Sequence, residues 1–266
     1  MKGLKIEQLN KSEQDKNIFA FIEQVKNFKI KEINTTFNEN SVRELISKLN
    51  ETKLFLLGET HGVKENVNII YTLFKKFGFK VLALEWDKKL QIEVENFLQT
   101  GKFNFKAIQN SSDGRITAGH FALLKKLKAE KLLEKVVCFD EQVQSGNWDD
   151  RDKSMAENIM INISKSKMIA VAGNFHTKLE PIFFDGKTHH PLGENIKNQI
   201  PNVPSGLIQY LTGQYYNYGI KNFKNEHKSK KFSNSRFYKS NEGIYTFELN
   251  IAHTATVPNL NEALEL

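Results

Sequence analysis

Cysteine is almost missing from this chain. Cys138 is the only one among 266 residues, so an intrachain disulfide and any cysteine-built metal cage are excluded. It stands in the apolar run Val136-Val137-Cys138-Phe139, where a structural thiol is expected rather than a nucleophile. Proline is scarce too, with five residues, and no low-complexity linker divides the chain. No apolar run approaches the ~20 residues of a membrane span. The opening Met1-Lys2-Gly3-Leu4-Lys5-Ile6-Glu7 lacks the apolar core of a signal peptide, so a cytoplasmic protein is expected. There is no Gly-x-Ser-x-Gly elbow, phosphate loop or dinucleotide fingerprint, which argues against serine hydrolases, nucleotide hydrolases and NAD enzymes.

An acidic excess is also lacking: the formal charge is +7. Most of it comes from lysines spread over helix faces, such as Lys125-Lys126-Leu127-Lys128. The densest patch, Lys221 to Lys231, interleaves Phe223 but carries no nucleic-acid motif. It is read as a solvated loop, and no nucleic-acid partner is expected. With 39% hydrophobic residues, 266 residues can bury a full core without splitting. One α/β domain over 1–266 is expected, with a helical lead-in over about 1–50 and a C-terminal extension over about 180–266.

What is present is an alternation. Residues 12–29 and 39–50 read as amphipathic helices, the second with Val42, Leu45, Ile46 and Leu49 on one face. Strand 54–57, helix 64–77 stopped by Gly78, strand 80–85 and helix 88–99 ending at Gly101 follow. After a loop over 104–115 come helix 117–130, strand 136–139, helix 150–164 and strand 168–172. Such alternation predicts a mainly parallel sheet with right-handed crossovers, flanked by helices. Beyond it, Pro181 to Pro191 reads as loop, and 207–211 and 243–249 read as strands. The sequence leaves open whether this last third extends the sheet or caps it.

Two turns stand out. Gly58-Glu59-Thr60-His61 and Gly173-Asn174-Phe175-His176 each follow a short apolar strand, and each glycine is expected to allow a sharp turn. Ligands bind at the carboxyl ends of strands in open α/β sheets. Four strand ends would deliver polar groups there: Glu59 with His61, Glu85, Asp140 with Glu141, and His176. Histidine beside carboxylate supports either a base that activates water or a divalent-metal site. An aspartate at 149 or 150 is expected to cap the helix that follows, with Asp152 in its first turn. Arg151 is out of place there, since a cation near a helix N-terminus opposes the dipole. A carboxylate partner or an anionic intermediate would explain it. Arg115, in Asp113-Gly114-Arg115, sits on a loop that could close over the crevice. Tyr215, in Gln214-Tyr215-Tyr216-Asn217-Tyr218, could line a pocket or pack beneath a loop. His120 reads as a packed helical residue. His189, His190, His227 and His253 have no evident partners.

Taken in order, Leu57-Gly58-Glu59-Thr60-His61-Gly62, Leu82-Ala83-Leu84-Glu85, Arg151-Asp152-Lys153-Ser154-Met155-Ala156-Glu157-Asn158 and Ala172-Gly173-Asn174-Phe175-His176 resemble erythromycin esterase-like proteins. The resemblance covers about residues 35–180 and extends loosely through 215–223. The wider superfamily includes ChaN-like haem-binding lipoproteins and the TraB/Tiki group with paired Gly-x-x-His motifs. The esterase branch implies a metal-independent hydrolase, with His61 as the base on water and Glu59, Glu85 and His176 in support. The Tiki-like branch implies His61, His176 and Glu85 as ligands of a divalent ion such as Zn or Mn. The ChaN-like branch implies haem contacts from the first turn. Three departures are visible. Gly-Glu-Thr-His is one residue shorter than the usual esterase motif, residues 63–74 hold no arginine, and the chain is shorter than macrolide esterases.

The expected activity is hydrolysis of an ester, lactone or amide in a small molecule or peptide. His61, Glu59, Glu85, His176 and Arg151 would be the catalytic set. His176 and Arg151 would stabilise the oxyanion, and Arg115, Asp140, Asp152 and Tyr215 would contact substrate.

Overall fold

Strands with no polar face must be covered on both sides, and the central strands of this protein are. The computed structural model describes residues 16–141, 146–223 and 233–258. Helix α1 spans 16–27. It is followed by β1 (Thr35–Phe37), α2 (Glu39–Thr52), β2 (Leu54–Glu59), α3 (Asn66–Phe77), β3 (Val81–Asp87) and α4 (Gln91–Thr100). Then come α5 (Ala118–Ala129), β4 (Lys135–Asp140), α6 (Trp148–Met160), β5 (Met168–Gly173), the hairpin β6 (Ile182–Phe184) and β7 (Lys187–His189), and α7 (Leu192–Lys197). The chain closes with β8 (Ser205–Tyr216), β9 (Ile220–Asn222), β10 (Ser235–Lys239) and β11 (Tyr245–Ala252). Every residue of β2 and β5 is buried, and only the last of β3 is not.

The main sheet runs β1-β10-β11-β8-β2-β5-β3-β4, with β9 paired to β8. From β11 to β4 every neighbour is parallel; β10 against β11 is antiparallel. Alternate residues of each strand feed two cores. Phe55, Leu57, Leu82, Leu84 and Val171 pack with Leu45, Phe74 and Phe121 of α2, α3 and α5 on one face. Leu54, Leu56, Ala83 and Ala170 pack with Met155, Ile159 and Ile196 of α6 and α7 on the other. Cys138 lies buried in β4, and burial pushes its thiol up to about 12, as a structural cysteine requires. No helix among the described residues is long and apolar enough to cross a membrane.

The alternation holds, with local differences. The first helix is described over 16–27, and 12–15 of the expected span lie outside the described residues. Lys88–Leu90 forms a separate 3-10 turn ahead of α4, and another, Phe105–Ile108, interrupts the expected loop. The segment read as loop over 181–191 holds the β6–β7 hairpin, turned by Asp185 and Gly186, both at positive φ. The last third extends the sheet. β11 inserts between β8 and β10, and β1 from the lead-in adds alongside β10. Most of the lysine patch, residues 224–232 including His227, lies outside the described residues; Lys221 is exposed.

Candidate active site

Strand order places the site. β2, β5, β3 and β4 are consecutive in the sheet, so their carboxyl ends form one edge, and Glu59 pairs with Gly173 across β2 and β5. A register shift between β3 and β4 puts Leu84 opposite Cys138 but Asp87 opposite Asp140. The extra β3 residue bulges the strand at Glu85-Trp86, a common way to re-aim a side chain. Glu85 then lies under the crevice, its Oε2 accepting the Gly173 N–H at 2.8 Å.

Neither motif glycine acts as a turn residue. Gly58 and Gly173 lie within their strands, and positive φ falls instead on Gly62, at 69°. Close approach explains both. A Cβ on Gly58 would stand 2.5 Å from Thr177 Oγ1 and 2.6 Å from Leu207 Cδ2. On Gly173 it would stand 2.9 Å from His61 Nε2 and 3.6 Å from His176 Cδ2. The two imidazoles therefore converge above Gly173.

His61 Nδ1 lies 3.3 Å from Glu59 Oε1, and its Nε2 lies 3.5 Å from Glu85 Oε2. His176 mirrors it, with Nδ1 2.7 Å from Asp152 Oδ1 and Nε2 3.6 Å from Glu85 Oε1. The Nε2 separations exceed hydrogen-bond length and leave room for a bridging water. Asp152 Oδ2 also accepts the Leu192 N–H at 2.9 Å, tying α6 to α7. Asn66 accepts from the Tyr210 hydroxyl and donates to the Thr60 carbonyl, which steadies the turn carrying His61.

Two guanidiniums complete the site. Arg151 donates from Nε and Nη2 to Asp140 at 2.9 and 2.8 Å, and from Nη2 to Glu85 at 2.9 Å. Arg115 Nη1 reaches Asp140 at 2.7 Å and Glu85 at 3.3 Å, while its Nε donates to Asp113 at 2.8 Å. Burial alone would keep Glu85 protonated. His176, His61, Arg115 and Arg151 outweigh that and hold it far below the usual carboxylate range. Burial likewise opposes charge on His61, but the Glu59 hydrogen bond and the Glu85 charge raise its pKa above the ordinary value. For His176, Glu85 and Asp152 overcome burial in the same direction.

The structure thus brings His61, Glu59, Glu85, His176, Arg151, Arg115, Asp140 and Asp152 into one cluster. Arg151 has the carboxylate partners its position called for. Tyr215 stands apart, its ring 4.9 Å from that of Phe223 and packed against the core, the under-loop alternative. The α6 cap is Asn147, which accepts from the Asp149 N–H, because the helix starts earlier than expected. Asp152 is thereby a turn further in and faces His176. Glu141 turns away to Lys88 and Ser154. His120 is buried, bonded to Thr117 and edge-on to Trp86. His189, His190 and His253 do have partners: Asp149, Glu194 and Glu65. Sequence reasoning missed Asp113. Its signal was the two-residue spacing to Arg115, which lets its carboxylate cap the Arg115 N–H and pair with the guanidinium.

As arranged, the donors do not suit a cation. Both ring nitrogens of each imidazole face carboxylates, and Glu85 is held by two guanidiniums and a backbone N–H. No group of three His, Cys, Asp or Glu among the described residues is arranged to hold a metal ion. Beside the cluster opens a cleft of about 450 Å³, lined by Glu85, Trp86, Asp113, Arg115, Ile116 and Asp140 among others.

These features define an α/β protein with a polar crevice at the carboxyl edge of a mainly parallel sheet. Its fold is the erythromycin esterase-like one. A mutant of erythromycin esterase EreC in its open conformation superposes with a TM-score of 0.53 at 10% identity, over 85% of this chain and 96% of that one. A succinoglycan biosynthesis protein matches at 0.51 and 10% identity, over 81% and 92%. A protein from Bacillus cereus matches at 0.50 and 11%, over 85% and 95%. No protein-family profile and no curated relative matches the sequence.

Proposed function

We propose that this protein is a hydrolase that cleaves an ester, lactone or amide with water activated by His61. One observation carries the reading: the Glu59–His61 pair at 3.3 Å, with the His61 side chain more exposed than Glu59, Glu85 or His176. Glu59 holds the Nδ1–H tautomer, leaving the Nε2 lone pair toward the crevice. Water bound there gives a proton to Nε2 as its oxygen attacks the carbonyl carbon. The resulting oxyanion is stabilised by His176, whose charged form Glu85 and Asp152 favour. Collapse breaks the bond to the leaving group, which takes the proton from His61. Arg151 and the Nη1 of Arg115 act as clamps on Glu85 and Asp140, while the other Arg115 donors are engaged by Asp113. The fold shared with an erythromycin esterase supports hydrolysis in general, and the substrate is not inferred from it.

The test is a panel of ester, lactone and peptide substrates on the wild type and His61→Ala, with and without chelator. His61→Ala should lose activity by about 10²–10⁴-fold while still unfolding in one cooperative thermal transition. Full activity in that variant would end the proposal. Loss of wild-type activity on chelation would favour the divalent-ion alternative on His61, His176 and Glu85.

A further inference from the structure

We propose that the rim beside His176 is a subsite for a planar aromatic group of the substrate, a reading that rests on the hydrolase proposal and narrows it. Three large rings stand open to solvent there: Trp148 at 42%, Phe175 at 43% and Phe184 at 50% exposure. They come from three elements and meet as one surface. The Trp148 and Phe184 rings stack at 6.4 Å and 24°, and Phe175 meets Phe184 edge-on at 5.5 Å. Each is locally held. Trp148 opens α6 beside its Asn147 cap, Phe175 sits inside the Gly-Asn-Phe-His turn, and Phe184 rides the tight hairpin turned at Asp185 and Gly186.

The surface is continuous with the candidate site. The Trp148 ring centroid lies 6.1 Å from that of His176 and 5.4 Å from that of His189. A group resting on it would lie next to the crevice that the imidazoles face. Aromatic rings that could pack inward but instead cluster in the open beside a polar site mark a recognition surface. Offset stacking and edge contacts select a flat π-system over an aliphatic chain of equal size.

Two measurements test this, one of them independent of hydrolysis. The chain has two tryptophans: Trp86, buried with its indole N–H on the Arg115 carbonyl at 3.0 Å, and Trp148. Their indole N–H signals are separable by NMR, with Trp148→Phe giving the assignment. Titration of the His61→Ala protein with benzyl alcohol should shift the Trp148 signal saturably and leave Trp86 still, with butan-1-ol much weaker. Phe184→Ala, a surface change, should weaken benzyl alcohol binding up to about tenfold. In the active protein it should raise KM for 2-naphthyl acetate similarly and leave methyl acetate unaffected. Equal response to both alcohols, or none, overturns the subsite. So does a Trp148 signal that moves with protein concentration instead, which would place a second copy there. Saturable aromatic binding in a protein that cleaves no ester would keep the subsite and remove the hydrolase reading.

Discussion

Glu59 shows how one side chain sets the chemistry of another. It sits buried at the end of β2 with its second oxygen, Oε2, lacking a hydrogen-bond partner, and it helps raise the pKa of His61. A base works above its own pKa, so the acidic limb of the rate profile should lie alkaline of an ordinary histidine. In Glu59→Gln the carboxylate charge is gone and the pKa of His61 falls. The acidic limb should then move to lower pH while the maximal rate drops, as a pH series of kcat/KM would show. An unmoved limb would mean that another group titrates. His61, Glu59, Glu85 and His176 were legible as candidates because each stands at or just beyond the end of a strand-like run. The Glu85 clamp by two arginines was not, since Arg115 and Arg151 are 30 and 66 residues away from it.

Among the elements, β5 carries a spatial constraint that bears directly on the site. Its last residue lies where two imidazoles and the β2 end meet, and glycine is needed there for space rather than for its backbone freedom. Gly173→Ala places a methyl group 2.9 Å from the present position of His61 Nε2. The ring must swing away, so activity should fall at least about tenfold, as expected for misplaced reacting groups. The core of β5 is untouched, and urea unfolding should change by less than about 1.5 kcal/mol. Helix α6 is a second case. Its start is set by Asn147, and moving that start two residues upstream carries Arg151 to Asp140 and Asp152 to His176. Helical periodicity alone could not place that register, because Asn147, Asp149 and Asp150 are all good caps.

For the molecule as a whole, the site is a charge balance closed by the fold. Glu59, Glu85, Asp113, Asp140 and Asp152 surround Arg115, Arg151 and two imidazoles. The raised pKa values of His61 and His176 add stability that is fully present below the ordinary histidine value. That stability is lost as pH rises through the raised values. Glu85, held low, acts oppositely: its contribution is present above the ordinary carboxylate value and fades as pH falls toward its folded value. Thermal midpoints should therefore be highest below the ordinary histidine value and decline as pH rises past it. In Glu85→Gln the alkaline decline should flatten, because the charge that raises both imidazoles is gone. The variant should also lose about 1–3 kcal/mol, since the charged bonds to Glu85 are gone while both guanidiniums keep Asp140.

Local pattern was enough to reveal the alternating strands and helices, the structural cysteine and the two histidine turns. Hydrophobic period, caps and stop glycines act within a few residues and so can be read along the chain. The rest depends on which strands become neighbours. Placing β5 between β2 and β3 sets His61 opposite His176, a bulge in β3 aims Glu85 between them, and β11 joins the lead-in strand to the sheet through β10. None of these arrangements leaves a mark at short range, because each is settled by packing between segments far apart in the chain.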